Sequence, residues 1–574
     1  MSQSRPFMRQ VFLPPLLLLL AAFFAGCSAQ HYRRSADKET YGVIAQKTPL
    51  VKNMDPRFTI EQTNQLSLDG LPAVTEIEEA LGPDSEAERS ARVISLENAL
   101  QIAVKYNRAY QMRKELLYQT ALNLTAARHQ FTPIFSGNGR GRIAGQTQQI
   151  LTTSVDQGGI TNRTFSDNLS QNVNASGAVN VSWLIRDVGR ISAALTADFL
   201  HIITGSGSPS SSSQVNATLL RPLLRNAGFK REIENLTLAE REVLYALRDF
   251  AQFRKSFSVQ VASAYYSVLG NRDTVRNSYL NLQSSRKNAE RTRALAQEGR
   301  VTQSDLGRLQ QQELSAESTW INAIRTYKQA LDDFKLTQLG LPVDSKLALD
   351  DHELEILEIR HPKITVEDSI KVALIARQDY LTFKDRRDDS IRGVALAANF
   401  LKPQLDLDAA VFINSKQETA ARLAVPDVNR YNWNAGLDLD PGLDRKQERN
   451  IYRTALILQK QAERAMEQQE DQIKLQVRDG WRTLDQAKRN YEINEIGVKL
   501  AERRVEEQNL LAELGRAKAQ DQVDAQNDLI SSKNQRTQAL VSHTIARLQF
   551  WVNTGILYIK QDGQWEEVAD AKPE

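Results

Sequence analysis

The chain has 574 residues, with 73 Lys plus Arg against 70 Asp plus Glu, six histidines and one cysteine. Near-balanced charge offers no basic stripe for nucleic acid. A lone cysteine excludes an internal disulfide, and the scattered histidines show no metal-ligand spacing or nucleophile–base pattern, so the chain does not read as an enzyme and no metal or cofactor is expected.

The N-terminus comes first. Arg5 and Arg9 precede an apolar run from Val11 to Phe24, interrupted by Pro14 and Pro15, and then Ala25, Gly26 and Cys27. A basic start, an apolar middle and a small-residue end read as a secretory signal over 1–26, too short and wrongly flanked for a membrane span. Ala-Gly-Cys resembles the bacterial lipobox, with Phe24 where Leu is usual. That resemblance implies lipidation of Cys27, and Ser28 after it implies the outer membrane. Each buried acyl CH2 contributes about 0.8 kcal/mol, so a multiply acylated cysteine is a firm anchor. The plainer alternative is a signal peptide with an incidental cysteine; the position of the sole cysteine favours lipidation. Residues 27–92 lack sustained periodicity and read as an extended segment.

A helix is expected over 95–130, closed by Pro133. Next, VNASGAVNVSWLI (173–185) alternates Val173, Ala175, Val179, Val181, Trp183 and Ile185 against Asn174, Ser176, Asn180 and Ser182. After RDVGR, Ile191, Ala193, Leu195, Ala197 and Phe199 alternate with polar residues. This reads as a hairpin over 173–199. A Ser-rich loop, 205–213, leads to a strand before Pro222. No proline occurs in 223–341 or 442–572. Proline costs about 3 kcal/mol inside a helix, so these stretches are free to run helically without a break. Helices are expected at 230–298 and 302–338, reversing at Gly299, and at 446–513 and 518–552, reversing at Gly515. Ile473, Val477, Trp481, Leu484, Ala487, Tyr491, Val498 and Val505 form a heptad-like stripe in the third. Residues 341–363 link to a further helix over 365–400.

Between 403 and 440 the period changes to two. Leu405, Leu407, Ala409 and Val411 alternate with Asp406, Asp408 and Ala410, and Tyr431, Trp433, Ala435, Leu437 and Leu439 with Asn432, Asn434, Gly436, Asp438 and Asp440. A strand of a soluble sandwich could show the same two faces, but a lipid-facing barrel strand must show them, and about ten residues suits a tilted strand between lipid and a watery lumen. In lipid such strands must close into a barrel. With four expected per chain, several chains must share one.

The chain is also written twice. ISLENALQIAVKYNRAY (94–110) corresponds to ITVEDSIKVALIARQDY (364–380) at an offset of 270, and Pro133 to Pro403. EGRVTQSDLGRLQQQ (298–312) resembles LGRAKAQDQVDAQND (514–528) at 216, leaving a net insertion of 54 residues in the first half. The divisions expected are 1–26, 27–92, a first repeat 93–340, a linker 341–363, a second repeat 364–557 and a tail 558–574.

Duplicated halves, the SLENAL opening helix, the proline after it and the Gly-to-Asp tips resemble the TolC-like outer-membrane efflux family over about 94–557. The resemblance implies a mainly α fold with membrane β: a homotrimer with a 12-stranded outer-membrane barrel continued by a periplasmic tube of 12 long helices. It implies an exit duct for an inner-membrane pump of the resistance-nodulation-division, ABC or similar type, joined through a periplasmic adaptor protein and set in outer-membrane lipid. On family grounds, Gly299, Arg300 and Asp305, with Gly515 and Arg516 and the equivalent Asp521, fall on tips that dock the adaptor. The bland reading is a C-cap glycine followed by an Asp at the next helix start. Asp521 and Asp524, i and i+3 on one helix face, fall where relatives line a closed periplasmic aperture. In a trimer they form a carboxylate ring that attracts cations; the bland reading is a solvated face. Relatives clamp that aperture with a Tyr and an Arg. Ala512 and Ala517 stand there, leaving Arg516 and Lys518 to reach Ser304 or Asp305. The competing function is a structural outer-membrane lipoprotein with envelope-spanning coiled coils. The hairpin at 173–199 departs from the family pattern: it either extends outside the membrane or widens the barrel.

Overall fold

A computed structural model describes residues 28–61, 68, 70–74, 78–155, 157–159, 161–204, 208–299, 301–416, 424–514, 516 and 518–566. In chain order the main elements begin with α1 (Ala29–Lys47), β1 (Arg92–Ile94), α2 (Leu96–Tyr106) and α3 (Arg108–His129). Four strands follow: β2 (Ile134–Val155), β3 (Thr161–Ile185), β4 (Gly189–Thr204) and β5 (Ser210–Pro222). Then come α4 (Lys230–Gln297), α5 (Gln303–Asp333), β6 (Leu347–Leu349), α6 (Val366–Ala376) and α7 (Gln378–Phe400). The chain continues with β7 (Gln404–Ser415), β8 (Pro426–Asp440), α8 (Lys446–Glu513), α9 (Ala519–Thr554), β9 (Tyr558–Ile559) and β10 (Trp565–Glu566). The described residues divide into two compact units, those within 1–121, 243–385 and 464–574, and those within 122–242 and 386–463.

The proline-free runs are helical to within a few residues of expectation. α4 and α8 each run 68 residues. The helix expected at 95–130 is broken at Asn107, and the one at 365–400 at Arg377. Both residues are extended, at ψ 125° and 122°. At Asn107 the side-chain oxygen accepts from the backbone N–H of Ala109 (2.8 Å) and Tyr110 (3.0 Å), starting α3, while its amide donates to the carbonyls of Thr337 and Gln338. At Arg377 the guanidinium donates to Asp379 (2.6 Å), Gln476 (2.6 Å) and the Asn553 carbonyl (3.3 Å).

The N-terminal stretch departs from expectation. Within 27–92, expected to be extended, residues 29–47 form α1, capped by Ser28, whose hydroxyl accepts from the His31 N–H. The period is weak because α1 buries only Thr40, Val43 and Ile44. Tyr118 donates to Asp37 (2.5 Å) and its ring packs at a tilt against Tyr41, tying α1 to α3. Burial, reinforced by the Asp37 carboxylate, pushes the Tyr118 hydroxyl up to about 12.

In the first unit, one apolar cluster joins Ala373, Tyr380, Ile473, Val477, Leu484, Ala487, Ala546 and Phe550. This is the inner part of the α8 stripe read from the sequence. Arg272 on α4 gathers Glu78 (2.8 Å), Glu88 (3.2 Å) and Asp351 (3.6 Å), clipping the N-terminal and linker segments to that helix.

The second unit holds a six-stranded antiparallel sheet in the order β2-β3-β4-β5-β7-β8. The hairpin expected at 173–199 is β3–β4, turning at 186–188, and it is hydrogen-bonded on both sides within this sheet. Part of the expected Ser-rich loop is instead strand. Ser210–Ser213 open β5, where the Ser213 hydroxyl donates to the Ala424 carbonyl (2.6 Å) and its N–H to Ser415 (2.9 Å).

Candidate functional site

Two places carry the sequence's functional readings: the faces of the sheet and the helix tips. Side chains on a strand alternate faces, so the pairing register tells which residues share one. Straight across the sheet, Phe135, Val181, Ala193, Ala217, Val411 and Trp433 form one row. The next row on that face is Gly137, Val179, Leu195, Val215, Ile413 and Tyr431. The opposite face carries Ser136, Asn180, Ala194, Asn216, Phe412 and Asn432 in one row, and Asn138, Ala178, Thr196, Gln214 and Asn414 in another. Among the described residues nothing covers the apolar face: Phe135 is 76% exposed, Ile143 75% and Trp433 70%. A sheet apolar on one uncovered face and polar on the other is what a wall between lipid and water requires.

The sequence reading missed β2. Its apolar-face positions are Phe135, Gly137, Gly139, Gly141 and Ile143, so three glycines erase the hydrophobic alternation. The usable signal was the polar set between them, Ser136, Asn138, Arg140 and Arg142.

At the first tip, Gly299 takes the left-handed backbone (φ 73°) just past α4, and its N–H donates to the Ala296 carbonyl (3.1 Å). This is the position where glycine avoids the Cβ clash. Thr302 caps α5: its oxygen accepts from the Asp305 N–H (3.1 Å) and its hydroxyl donates to the Asp305 carboxylate (2.6 Å). The Asp305 carboxylate therefore holds the capping hydroxyl in place. At the second tip the exposed Arg516 donates its backbone N–H to the Leu511 carbonyl (2.8 Å), closing α8. Among the described residues, neither Arg516 nor Lys518 bonds Ser304 or Asp305 within one chain. Cys27, Arg300, Gly515 and Ala517 lie outside the described residues.

Asp521 and Asp524 lie in the first two turns of α9, Asp521 exposed and Asp524 half-buried. Asp524 accepts from the Gln520 amide (2.8 Å). The helix is held beside the first tip by Ala519 and Val523, which pack with Ala289 and Leu309, and by Gln312 donating to Asn527 (2.9 Å). Arg504 pairs with Asp528 one turn further on. The arrangement seats both carboxylates on a fixed, solvated helix start.

No family model matches the sequence, and no curated protein matches it. Solved structures do. The chain is similar to the Campylobacter jejuni CmeC outer membrane channel, with a TM-score of 0.58 at 12% identity over 90% of this chain and 96% of that one. The open state of the Neisseria gonorrhoeae MtrE outer membrane channel gives 0.56 at 14% identity, over 87% and 98%. The outer membrane protein VceC of Vibrio cholerae gives 0.56 at 13%, over 80% and 96%. At such identities the likeness is one of architecture: this chain has the fold of TolC-like outer membrane channels.

Proposed function

We propose that this chain is the outer-membrane exit duct of a tripartite efflux or type I secretion system, conducting cargo passively while an inner-membrane pump supplies the energy. It works as a homotrimer whose sheets close into one barrel. Cys27 carries the lipid anchor. The tips at Gly299, Arg300, Asp305, Gly515 and Arg516 dock the periplasmic adaptor, and Asp521 and Asp524 ring the periplasmic aperture. The observation that carries this reading is the uncovered apolar face continuing across six strands. A coiled-coil spacer lipoprotein accounts for the long helices but has no use for that face.

The test is planar-bilayer conductance of the purified oligomer, wild type beside Asp521→Ala/Asp524→Ala. Small cation-selective steps that grow and lose selectivity in the double variant are expected. Silence in both, from protein shown to be folded, oligomeric and membrane-inserted, would turn the argument towards the spacer.

A further inference from the structure

Three copies of a four-stranded sheet close into the twelve-stranded barrel implied by the sequence resemblance. This chain supplies six strands, and the additional pair, β3–β4, sits in the middle of the sheet and not beyond its end. Val179, Val181, Ala193 and Leu195 place it in the apolar rows already described. The sheet leaves two edges, β2 and β8, each paired on one side only among the described residues. Open backbone edges are not tolerated in lipid. Resting on the trimeric duct reading, we propose that β2 of one copy pairs with β8 of the next, Ile134 opposite Asp440, closing an eighteen-stranded wall.

Three features fix that register. First, Ile134 follows α3 across Pro133, and Asp440 precedes α8 across Pro441, so both are the last strand residues at the helix-bearing end. Second, parity agrees: even-numbered residues of β2 and of β8 both lie on the polar face. Third, the tilt comes out right. The straight row from Ile134 passes Ser182, Ser192, Thr218 and Ala410 and reaches Asn434, six residues short of Asp440. Six residues of about 3.3 Å rise over six strands about 4.8 Å apart incline the strands by about 35°, within the range barrels adopt. The strand ends inside one chain already recede in this direction: Ile185 lies three residues past Ser182, Pro222 four past Thr218, and Gln404 six before Ala410.

The register also matches side chains. It sets Gly137 against Leu437, Gly139 against Ala435 and Gly141 against Trp433. Leu437 and Trp433 of one edge then cover Gly137 and Gly141 of the other, a recognised device for stabilising strand pairs. On the polar face, Arg140 and Arg142 meet Asn434 and Asn432, donors opposite amide oxygens. A wall of eighteen strands encloses a water-filled channel of porin width, so it passes bulkier solutes than a twelve-stranded one, and narrowing is left to the helices.

The test uses full-length protein with Cys27→Ser, so that introduced cysteines are the only ones. Ser136→Cys/Asp438→Cys is expected to give disulfide-linked dimers and trimers on oxidation, while Ser136→Cys/Asn432→Cys, six residues away, does not. In parallel, single spin labels at Val179→Cys and Leu195→Cys in proteoliposomes are expected to be reached by oxygen and shielded from a water-soluble nickel chelate. Cross-linking with labels open to the chelate would put the hairpin outside the wall and overturn the eighteen strands while leaving the duct intact. Cross-linking only at another offset would overturn the register. A wild type that inserts but forms no oligomer would remove the duct reading itself.

Discussion

α4 and α8 have the same length, but α4 is richer in aromatic residues and α8 in acidic ones, and they have opposite fates in the chain. From Val243 to Thr292, α4 is buried repeatedly, including Tyr245, Leu247 and Tyr265 at 2% exposure or less. Even its cations are enclosed: Lys255 donates to the Gly555 carbonyl (2.7 Å), and Arg254 to the carbonyls of Asn53 (3.0 Å) and Lys560 (2.7 Å). α8 buries six residues. A second apolar stripe on it stays open, with Ile493 65%, Ile496 59% and Leu500 60% exposed. α4 finds its partners in the N-terminal, linker and C-terminal segments of its own chain. Among the described residues, α8 finds a partner for one stripe only. A helix that keeps a second apolar stripe uncovered is built for a neighbour, which in the proposed trimer is another copy.

The sharpest way to break this contrast is to place one charge on each helix. Leu282→Asp puts an unpaired carboxylate where exposure is 0% and is expected to cost several kcal/mol and unfold the first unit. Ile496→Asp with Leu500→Asp is expected to leave far-UV circular dichroism unchanged and to yield monomers in sedimentation. If both variants unfolded equally, the contrast would be wrong.

The sheet allows a parallel comparison on neighbouring residues. Trp433→Arg faces the apolar side and should cost about 2–4 kcal/mol near mid-membrane, whereas Asn434→Arg on the polar side should cost about 0–1 kcal/mol. Denaturant unfolding in lipid vesicles measures both; equal costs would refute the assignment of faces.

Acid should loosen the inner stripe of α8. His543 on α9 is fully buried, with neither ring nitrogen hydrogen-bonded and its ring 6.4 Å from that of His361, which lies 5.1 Å from Trp481. Burial, with the charges of Arg547, His361 and Lys488, pulls the imidazole down to about 4 from an ordinary 6.5. The unfolded chain then binds the extra proton first. The contribution is fully present above pH 6.5 and is lost as pH falls towards 4. Thermal melts at pH 7 and 4.5, followed through Trp481, should show a drop that His543→Phe reduces.

The smallest effect separates the two tips. Thr302→Ala removes the α5 cap and should cost about 1 kcal/mol. Lys518, which starts α9 without a side-chain cap, should instead gain stability on Lys518→Ser. Hydrogen exchange at the first amides of α5 and α9 reads both changes.

Some of this was open to the sequence alone, because it depends on local chemistry. Proline-free runs of helix formers ended α4, α5, α8 and α9 within a few residues of their observed limits. The strict alternation of β7 and β8 and of the inserted hairpin marked strands, since period two has no other structural use. The glycine at 299 marked a reversal, because few other residues enter the left-handed region without strain. Tertiary structure alone decided the rest. β2 hides behind glycines and is defined by its twenty-two-residue ladder to β3. α1 presents no period because it touches its unit at one patch. Asn107 and Arg377 make short-range bonds, to Ala109, Tyr110 and Asp379, that a local pattern could suggest, but their bonds to Thr337, Gln338, Gln476 and Asn553 come from far along the chain. That the inserted hairpin pairs within the sheet was decided by backbone bonds between β4 and β5 and between β2 and β3. Periodicity gives each strand its two faces, but only partners distant in sequence give it neighbours.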